Sequence, residues 1–210
     1  RMLMNLPGNR PFQVAYFNDS KARQAFEVFY KKIQPDVVYC QLARMAEFSR
    51  TLKDCVKVID YQDAFSKGIE RRIGKAPAYQ RMLLREEYRR LKVYETQIAG
   101  DFSMRTIISS QDARLLGIPG DRSFAIIPNG VDTEHYMPEP GARSFDLLFT
   151  GNMQYEPNVN CVLYLVKQVF PLIEKELPHI QLVVAGKNPS RVLKKMANRQ
   201  LHLTGWVDDL

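Results

Sequence analysis

Short runs of β-branched and aromatic residues alternate along this chain with longer segments whose apolar residues recur at helical spacing. The predicted strands are Phe12–Phe17, Val37–Cys40, Val56–Asp60, Arg105–Ser109, Ser123–Ile127, Phe145–Thr150, Ile180–Ala185 and Leu201–Leu203. The predicted helices are Lys21–Ile33, Ala43–Leu52, 78–99, a Ser-capped helix that ends at Gly117, Pro157–Leu177 and 188–196. Because right-handed crossovers join strands that helices separate, this alternation predicts an α/β chain with parallel sheets covered on both faces.

A stretch rich in proline and glycine, Met137–Gly141, interrupts the alternation. It predicts a linker over residues 137–144 between a first domain, residues 1–136, and a second domain, residues 145–210. The second domain holds about three predicted strands, which is about half of a doubly wound sheet. We therefore expect the chain to be truncated and both domains to be incomplete.

Cysteine, histidine and hydropathy patterns exclude several classes of protein. Cys40, Cys55 and Cys161 lie far apart, and the three histidines are equally scattered, so neither a disulfide framework nor a zinc site is expected. No uncharged apolar run approaches the ~20 residues that cross a bilayer, and the first residues are too weakly apolar for a signal peptide. We expect a reduced cytosolic protein without a structural metal.

Most of the formal net charge of +7 lies between Lys67 and Lys92, where nine residues are basic and three are acidic. Such a segment is a solvated helix face, or it binds phosphate, an anionic membrane surface or nucleic acid. Few aromatic residues are interleaved with these charges, so stacking on single-stranded nucleic acid is not expected. We rank the solvated face first and peripheral membrane attachment second.

Polar residues and glycines follow most of the predicted strands. In an open parallel sheet, ligands bind outside the carboxyl ends of the strands, which share one edge. In the first domain these residues include Gln41, Arg44, Asp60, Asp63, Ser66, Asn129 and Gly130. In the second domain they include Gly151, Asn152, Gly186, Lys187 and Val207. We predict that the functional site lies along this edge.

Several roles stay open for these residues. Gly151 and Gly186 stand between a strand and a helix, where glycine either admits a ligand to backbone N–H groups or only forms a turn. Asp60 and Asp63 suit proton transfer or the orientation of a hydroxyl, and they equally suit helix capping. The guanidinium of Arg44 suits a phosphate or a surface position. The chain has no G-x-G-x-x-G motif, no P-loop and no identifiable nucleophile–base pair.

An ordered series of motifs carries a resemblance to a known family. The series is Ile127-Pro128-Asn129-Gly130-Val131-Asp132, Phe149-Thr150-Gly151-Asn152-Met153, Val184-Ala185-Gly186 with Asn188-Pro189, and Thr204-Gly205-Trp206-Val207-Asp208-Asp209. It resembles the family-4 glycosyltransferases, which are retaining enzymes of the GT-B architecture. The first half is similar to a bacterial subgroup tied to exopolysaccharide biosynthesis, through Pro35-Asp36-Val37-Val38, Arg44-Met45-Ala46, Asp63-Ala64-Phe65-Ser66 and Arg89-Arg90-Leu91.

The resemblance implies two Rossmann-like parallel-sheet domains and the transfer of a sugar from a nucleotide diphosphate sugar to an acceptor. The anomeric configuration would be retained, with no metal or other cofactor, in the synthesis of exopolysaccharide or another cell-surface glycan. The first domain would hold a glycan or a lipid-linked acceptor. The protein would be cytoplasmic, with the basic segment Lys67–Lys92 at the inner membrane face. No nucleic-acid partner is implied.

The same resemblance assigns roles to the residues at the carboxyl edge. Asp60 and Asp63 would be the catalytic residues, and the acceptor cleft would include Gln41, Arg44 and Ser66. The donor would contact residues from both domains, namely Asn129, Gly130, Gly151, Asn152, Gly186, Lys187 and Val207.

The sequence departs from the family pattern at three points. The loop Asn152–Asn158 carries no cation, the Gly-rich first loop of the acceptor domain is missing before Phe12, and a pair of glutamates would fall beyond Leu210. We therefore expect little or no transferase activity from this chain by itself. Two other functions remain open: a Rossmann-like nucleotide-binding module or enzyme remnant without turnover, and a basic nucleic-acid-binding protein.

Overall fold

The computed structural model describes residues 8–119, 123–137 and 145–208. The chain divides into two compact units, Arg1–Asp132 and Thr133–Leu210. Of the predicted linker, only residue 137 is described; residues 138–144 lie outside the described residues.

The first unit contains a parallel four-stranded sheet with the strand order β1-β2-β3-β4. Its strands are β1 (Val37–Gln41), β2 (Val56–Asp60), β3 (Met104–Ile107) and β4 (Ala125–Ile126). Its helices are α1 (Phe12–Phe17), α2 (Ser20–Ile33), a 3₁₀ helix (Ala43–Phe48), α3 (Phe65–Lys75), α4 (Ala78–Ile98) and α5 (Ser110–Leu116). In the register, Gln41 pairs with Asp60 and Asp60 with Thr106, so the residues that end these strands share one edge of the sheet.

The second unit contains a parallel three-stranded sheet with the order β5-β6-β7. Its strands are β5 (Leu147–Thr150), β6 (Leu182–Ala185) and β7 (Leu201–Gly205). Its helices are α6 (Glu156–Tyr164), a π turn (Leu165–Val169), α7 (Phe170–Glu176) and α8 (Arg191–Met196). The central strand β6 is buried along its whole length, as a strand covered on both faces should be. The predicted α/β class with two parallel sheets is confirmed.

Local capping explains why both ends of α5 were predicted correctly. The Ser109 side chain accepts a hydrogen bond from the Asp112 N–H at the start of α5. The helix ends at Gly117, whose φ of 60° lies in the left-handed region that glycine adopts without strain. In α8 the cap is Ser190 rather than Asn188, so this helix begins later than predicted.

The segment Phe12–Phe17 was predicted as a strand, and this prediction is wrong: the segment is helix α1. The Glu87 carboxylate on α4 accepts hydrogen bonds from the N–H groups of Phe12 at 2.6 Å and Gln13 at 3.0 Å. These two donors have no partner within the helix, so a carboxylate there stabilises the helical start. The capping residue is 75 positions away in the sequence, so no local pattern predicts it.

The predicted helix Pro157–Leu177 is interrupted by the π turn between α6 and α7. Pro171 lies in the first turn of α7 and has no N–H to donate, so the ladder of hydrogen bonds cannot run through it regularly.

The predicted helical cover is also incomplete on the first sheet. None of the residues of α2 is buried, and Val37 and Tyr39 of β1 are exposed. Each unit nevertheless has its own core: Val14, Ile59, Tyr61, Ile98 and Ile107 contribute to the first, and Val162, Leu182, Val184, Leu193 and Leu201 to the second. No helix among the described residues is long and apolar enough to cross a bilayer.

Candidate functional site

A cavity of about 430 Å³ lies at the carboxyl ends of β5, β6 and β7 in the second unit. Its volume is within the range of small-molecule sites. The lining residues are Tyr136, Thr150, Gly151, Asn152, Ala185, Gly186, Lys187, Trp206, Val207 and Asp208. Five residues that the sequence analysis singled out therefore line one cavity: Gly151, Asn152, Gly186, Lys187 and Val207.

Two glycines bring the β5 and β6 loops into direct backbone contact. A Cβ on Gly186 would collide with the carbonyl oxygen of Gly151 and stand 3.0 Å from its carbonyl carbon. The Gly151 N–H donates to Ala185 O at 3.0 Å, and the Gly186 N–H donates to Gly205 O at 2.7 Å. Gly186 therefore allows an approach that any side chain would prevent, and this approach shapes the floor of the cavity.

Two asparagines shape the loop that follows β5. The Asn152 side-chain oxygen accepts from the Gln154 N–H at 2.9 Å, and its backbone oxygen accepts from Asn158 Nδ2 at 3.1 Å. The Met153 N–H donates to Lys187 O at 3.2 Å, which ties this loop to the loop after β6. The two oxygen atoms of Asn152 thus stabilise the loop by accepting hydrogen bonds. The residue also lines the cavity.

A lysine and two aromatic residues give the cavity its chemical character. Lys187 is exposed and is the cation among the described lining residues. It precedes Asn188, whose φ of 57° turns the chain sharply at the end of β6. Trp206 is 69% exposed, and its Nε1–H donates to Asp208 Oδ1 at 2.8 Å. With Tyr136, Trp206 offers flat apolar surface beside one positive charge.

The sequence analysis did not assign Tyr136, Thr150, Ala185, Trp206 or Asp208 to the site. Trp206 directly follows β7, as Gly151 directly follows β5. The rule that ligands bind at the carboxyl ends of parallel strands could therefore have selected Trp206 as well. No comparable signal marks Tyr136, which lies outside the strand–loop pattern.

Asp60 ends β2 and is held in place by the next turn of the chain. Its carboxylate accepts from the Gln62 backbone N–H at 3.1 Å and from Gln62 Nε2 at 2.9 Å. Burial by itself would raise the pKa of Asp60, but hydrogen bonds, chiefly those from Gln62, outweigh it and hold the pKa below its ordinary value. This arrangement requires a φ of 62° at Gln62, which is a strained backbone conformation for a residue with a side chain. The side chain of Asp60 is therefore a fixed, ionised acceptor.

Asp63 lies in a different electrostatic environment at the same edge. Desolvation raises its pKa, the charge of Asp112 adds to that effect, and Arg44 and Arg71 oppose it. The Arg44 guanidinium lies 4.8 Å from the ring centre of Phe17 and 5.2 Å from that of Phe65. The two rings hold the cation next to the carboxylate.

The remaining predicted residues of the first unit occupy different surroundings. Ser66 is buried in the first turn of α3, where its N–H donates to Glu95 Oε1 at 3.1 Å. Gln41 is exposed at the end of β1, and Asn129 and Gly130 are exposed after β4. Asn129 and Gly130 belong to the first unit, whereas the cavity belongs to the second.

Sequence reasoning also missed Glu95, a buried glutamate on α4. Burial is the main reason that its pKa rises to about 7, against the hydrogen bonds from Ser66 that lower it. Its Oε2 has no hydrogen-bond partner among the described residues. Glu95 lies inside the predicted helix 78–99, so the rule that selects residues after strand ends does not reach it. In the described part of the chain, no group of three or more His, Cys, Asp and Glu side chains could hold a metal ion.

The fold and the cavity define a class of protein: an α/β chain with two Rossmann-like parallel sheets of the GT-B type, whose second sheet carries a cavity at its carboxyl edge. The sequence comparison is more specific for that second sheet. Residues 144–210 match the sequence model of the family described as Glycosyl transferases group 1. No curated protein sequence gives a significant match.

Among the solved structures that are similar to this chain, two align with most of it. Sucrose-phosphate synthase from Thermosynechococcus elongatus aligns with a TM-score of 0.62 and 12% identity, over 90% of this chain and 49% of that one. TarM aligns with a TM-score of 0.59 and 9% identity, over 87% of this chain and 36% of that one. The chain thus spans half or less of the length of these structures. At these identities the likeness shows the fold.

Proposed function

We propose that this chain acts in glycosyl transfer from a nucleotide diphosphate sugar to a glycan or lipid-linked acceptor. One observation carries the proposal: apart from Tyr136, every residue that lines the cavity lies within the segment that matches Glycosyl transferases group 1. We further propose retention of the anomeric configuration, a cytoplasmic location and a role in bacterial exopolysaccharide or other cell-surface glycan synthesis. These finer points rest on the motif resemblance.

The cavity suits the two ends of a nucleotide diphosphate sugar. The ammonium group of Lys187 would contact the diphosphate, and it would stabilise the charge that develops on the leaving group. The exposed face of Trp206 and the ring of Tyr136 would pack against the base or the sugar. Gly151 and Gly186 bring the loops after β5 and β6 into contact, so backbone of both loops lies at the edge of the cavity, within reach of a ligand there.

On the first unit, we propose different roles for the two aspartates. Asp63 is the better candidate for proton transfer, because desolvation raises its pKa towards the range in which a carboxyl group exchanges a proton. Asp60 is the better candidate for orienting an acceptor hydroxyl, because Gln62 holds its carboxylate ionised and in one position. Gln41 and Arg44 would contact the acceptor at the same edge, and no metal is needed for these roles.

The chain contains one tryptophan, Trp206, and it lines the cavity, so its fluorescence reports directly on ligand binding. We expect UDP-, GDP- or ADP-sugars to change the emission saturably, and the corresponding free sugar to leave it unchanged. A flat titration with all three nucleotide classes, repeated by calorimetry, would reject the donor site.

A matched pair of lysine variants tests the role of the charge in the cavity. Lys187→Met removes the cation and is expected to weaken nucleotide diphosphate binding about tenfold or more, in line with the ~1.5–3 kcal/mol of a hydrogen bond to a charged group. Lys175→Met makes the same change at an exposed position of α7 that does not line the cavity, and it should bind as the unmodified chain does. Equal affinities for the two variants would remove Lys187 from the site.

A further inference from the structure

Four arginines line a cavity of about 300 Å³ on the first unit. Arg10 precedes α1, Arg50 follows the 3₁₀ helix, and Arg89 and Arg90 belong to α4. None of the residues to which we assign a role in glycosyl transfer lines this cavity. Its volume is at the lower end of the range of small-molecule sites. The cavity is therefore a separate candidate site, and its size suits a small ligand.

Arg90 forms a buried part of the cavity wall, and its side chain is 5% exposed. Its Nε donates to Glu86 Oε1 at 2.7 Å, and its Nη1 donates to the carbonyl oxygen of Arg10 at 3.1 Å. The guanidinium group lies 4.7 Å from the ring centre of Phe12. Because a buried charge must be paired and hydrogen-bonded, these contacts hold Arg90 in place. Arg90 in turn fixes the backbone of Arg10 beside α4.

Glu47 is the carboxylate among the described lining residues. Its Oε1 accepts from Arg50 Nη1 at 2.9 Å and from the Tyr94 hydroxyl at 3.1 Å. Its Oε2 pairs with Arg10 Nη2 at 3.0 Å. Two guanidinium groups thus compensate the single charge of Glu47, so this carboxylate does not prevent an anion from entering the cavity.

The two more exposed arginines of the cavity keep donors that no carboxylate uses. Arg10 pairs with Glu47 through Nη2, and Arg89 pairs with Glu86 through Nε and Nη2. In the described part of the chain, Arg10 Nε, Arg10 Nη1 and Arg89 Nη1 have no acceptor, and neither has the side-chain amide of Gln97, which also lines the cavity. Unused guanidinium donors from two different elements suit the oxygen atoms of a phosphate group.

We propose that this cavity binds the phosphate group of a small soluble phosphomonoester, with Arg10 and Arg89 donating to its oxygen atoms. Glu47 and Glu86 orient the two guanidinium groups, and Arg90 adds a fixed positive charge behind them. A phosphomonoester carries close to two negative charges at neutral pH, so it uses these cations better than a carboxylate does. A polymer or a bilayer would contact the exposed arginines without filling the cavity. Binding does not depend on the proposed glycosyl transfer.

The bound phosphate would join the start of α1 to α4. Arg10 lies two residues before Phe12, the first residue of α1, and Arg89 lies on α4. A ligand that contacts both side chains would oppose the separation of these helices, so the amides at the start of α1 should exchange more slowly.

Calorimetry with the full chain tests the site, with glycerol 3-phosphate as the probe. We expect saturable binding of glycerol 3-phosphate and none of glycerol. Arg10→Gln with Arg89→Gln should weaken binding on the order of a hundredfold, since each lost hydrogen bond to a charged group costs about tenfold or more. Arg72→Gln with Arg85→Gln removes the same charge at exposed positions outside the cavity and should change the affinity less than about threefold. Equal losses in the two double variants would overturn the proposal.

Two further measurements locate the bound probe. Lys187→Met alters the cavity of the second unit and should leave the affinity for glycerol 3-phosphate unchanged; loss of binding in this variant would assign the probe to the second unit instead. Hydrogen exchange at residues 12 and 13 should slow severalfold with saturating probe. Arg89→Gln leaves Glu86 paired with Arg90 and should abolish this slowing. The same exchange rates with and without the probe in the unmodified chain would also overturn the proposal.

Discussion

At the scale of single residues, the carboxylates of the first unit differ because their surroundings differ. Asp60 accepts two hydrogen bonds from Gln62 and stays ionised, whereas burial leaves Glu95 with a pKa of about 7. Asp63 lies between these extremes, with one like charge and two cations acting on it. The balance between burial and hydrogen-bond donors thus decides which carboxyl group can carry a proton near neutral pH.

Glu95 makes the stability of the first unit depend on pH. Its pKa is higher in the folded chain than in the unfolded chain, so the folded state binds the proton more tightly. The resulting stabilisation is fully present below about pH 4.5 and is lost as the pH rises towards 7. Glu95→Gln removes the titration and keeps an oxygen for the Ser66 N–H. We expect the difference in unfolding free energy between this variant and the unmodified chain to increase, in favour of the variant, as the pH rises from 5 to 8. The increase should be up to about 3 kcal/mol.

Urea denaturation at the two pH values measures this gain. Circular dichroism is the suitable signal, because the chain's tryptophan is in the second unit. A difference between the two proteins that is the same at pH 5 and pH 8 would contradict the assignment to Glu95.

At the scale of secondary-structure elements, Gly186 joins the end of β6 to the loop after β5. Gly186→Ala would push a methyl group into the backbone of Gly151, where no flexible side chain can move away. We expect a loss of about 1–3 kcal/mol in the stability of the second unit, together with loss of nucleotide binding. Gly68→Ala is the control, since a Cβ there meets nothing within 4 Å and the residue lies within α3. The control should be neutral or stabilising by up to ~1 kcal/mol, and a neutral Gly186→Ala would show that the two loops can separate.

Helix α1 depends in the same way on a contact from another element. Glu87→Ala leaves the N–H groups of Phe12 and Gln13 without their acceptor and should cost about 1–3 kcal/mol. Glu27→Ala on α2 changes an exposed glutamate and should stay within ±0.5 kcal/mol. Hydrogen exchange is the direct measurement: the amides of residues 12 and 13 should lose protection in Glu87→Ala and keep it in Glu27→Ala. Retained protection in both variants would show that α1 does not need this cap.

At the scale of the whole molecule, two compact units each have their own hydrophobic core. The cavity is built entirely from residues of the second unit. Ligand binding in the cavity should therefore stabilise the second unit.

Nucleotide binding should raise the temperature at which the second unit unfolds. At a hundred times its dissociation constant, a ligand stabilises the folded state by ~2.7 kcal/mol, which corresponds to roughly 10 °C or more for a unit of this size. Trp206 fluorescence during a thermal scan measures this transition. A nucleotide diphosphate sugar should produce the shift, and the unphosphorylated nucleoside should produce a smaller one. Identical scans with and without the nucleotide diphosphate sugar would count against the donor site.

Local patterns were sufficient for much of the fold. Strand β2 runs over Val56–Asp60, as its apolar pattern predicts, and α4 occupies nearly all of the predicted segment 78–99. The rule that ligands gather at the carboxyl ends of parallel strands also selected five residues of one cavity. These predictions succeed because periodicity, caps and strand ends are properties of a few neighbouring residues.

The sequence by itself determined the α/β class, the parallel sheets and the edge on which the polar residues lie, because each depends on short-range pattern. Tertiary structure decided the rest. Helix α1 forms because Glu87 caps its first turn. Trp206 lines the cavity because β7 pairs with β6. The pKa of Glu95 is raised because the side chain is buried. Each of these outcomes rests on groups brought together from distant parts of the chain. Their contact energies and desolvation exist only once the chain has folded, so no local pattern records them.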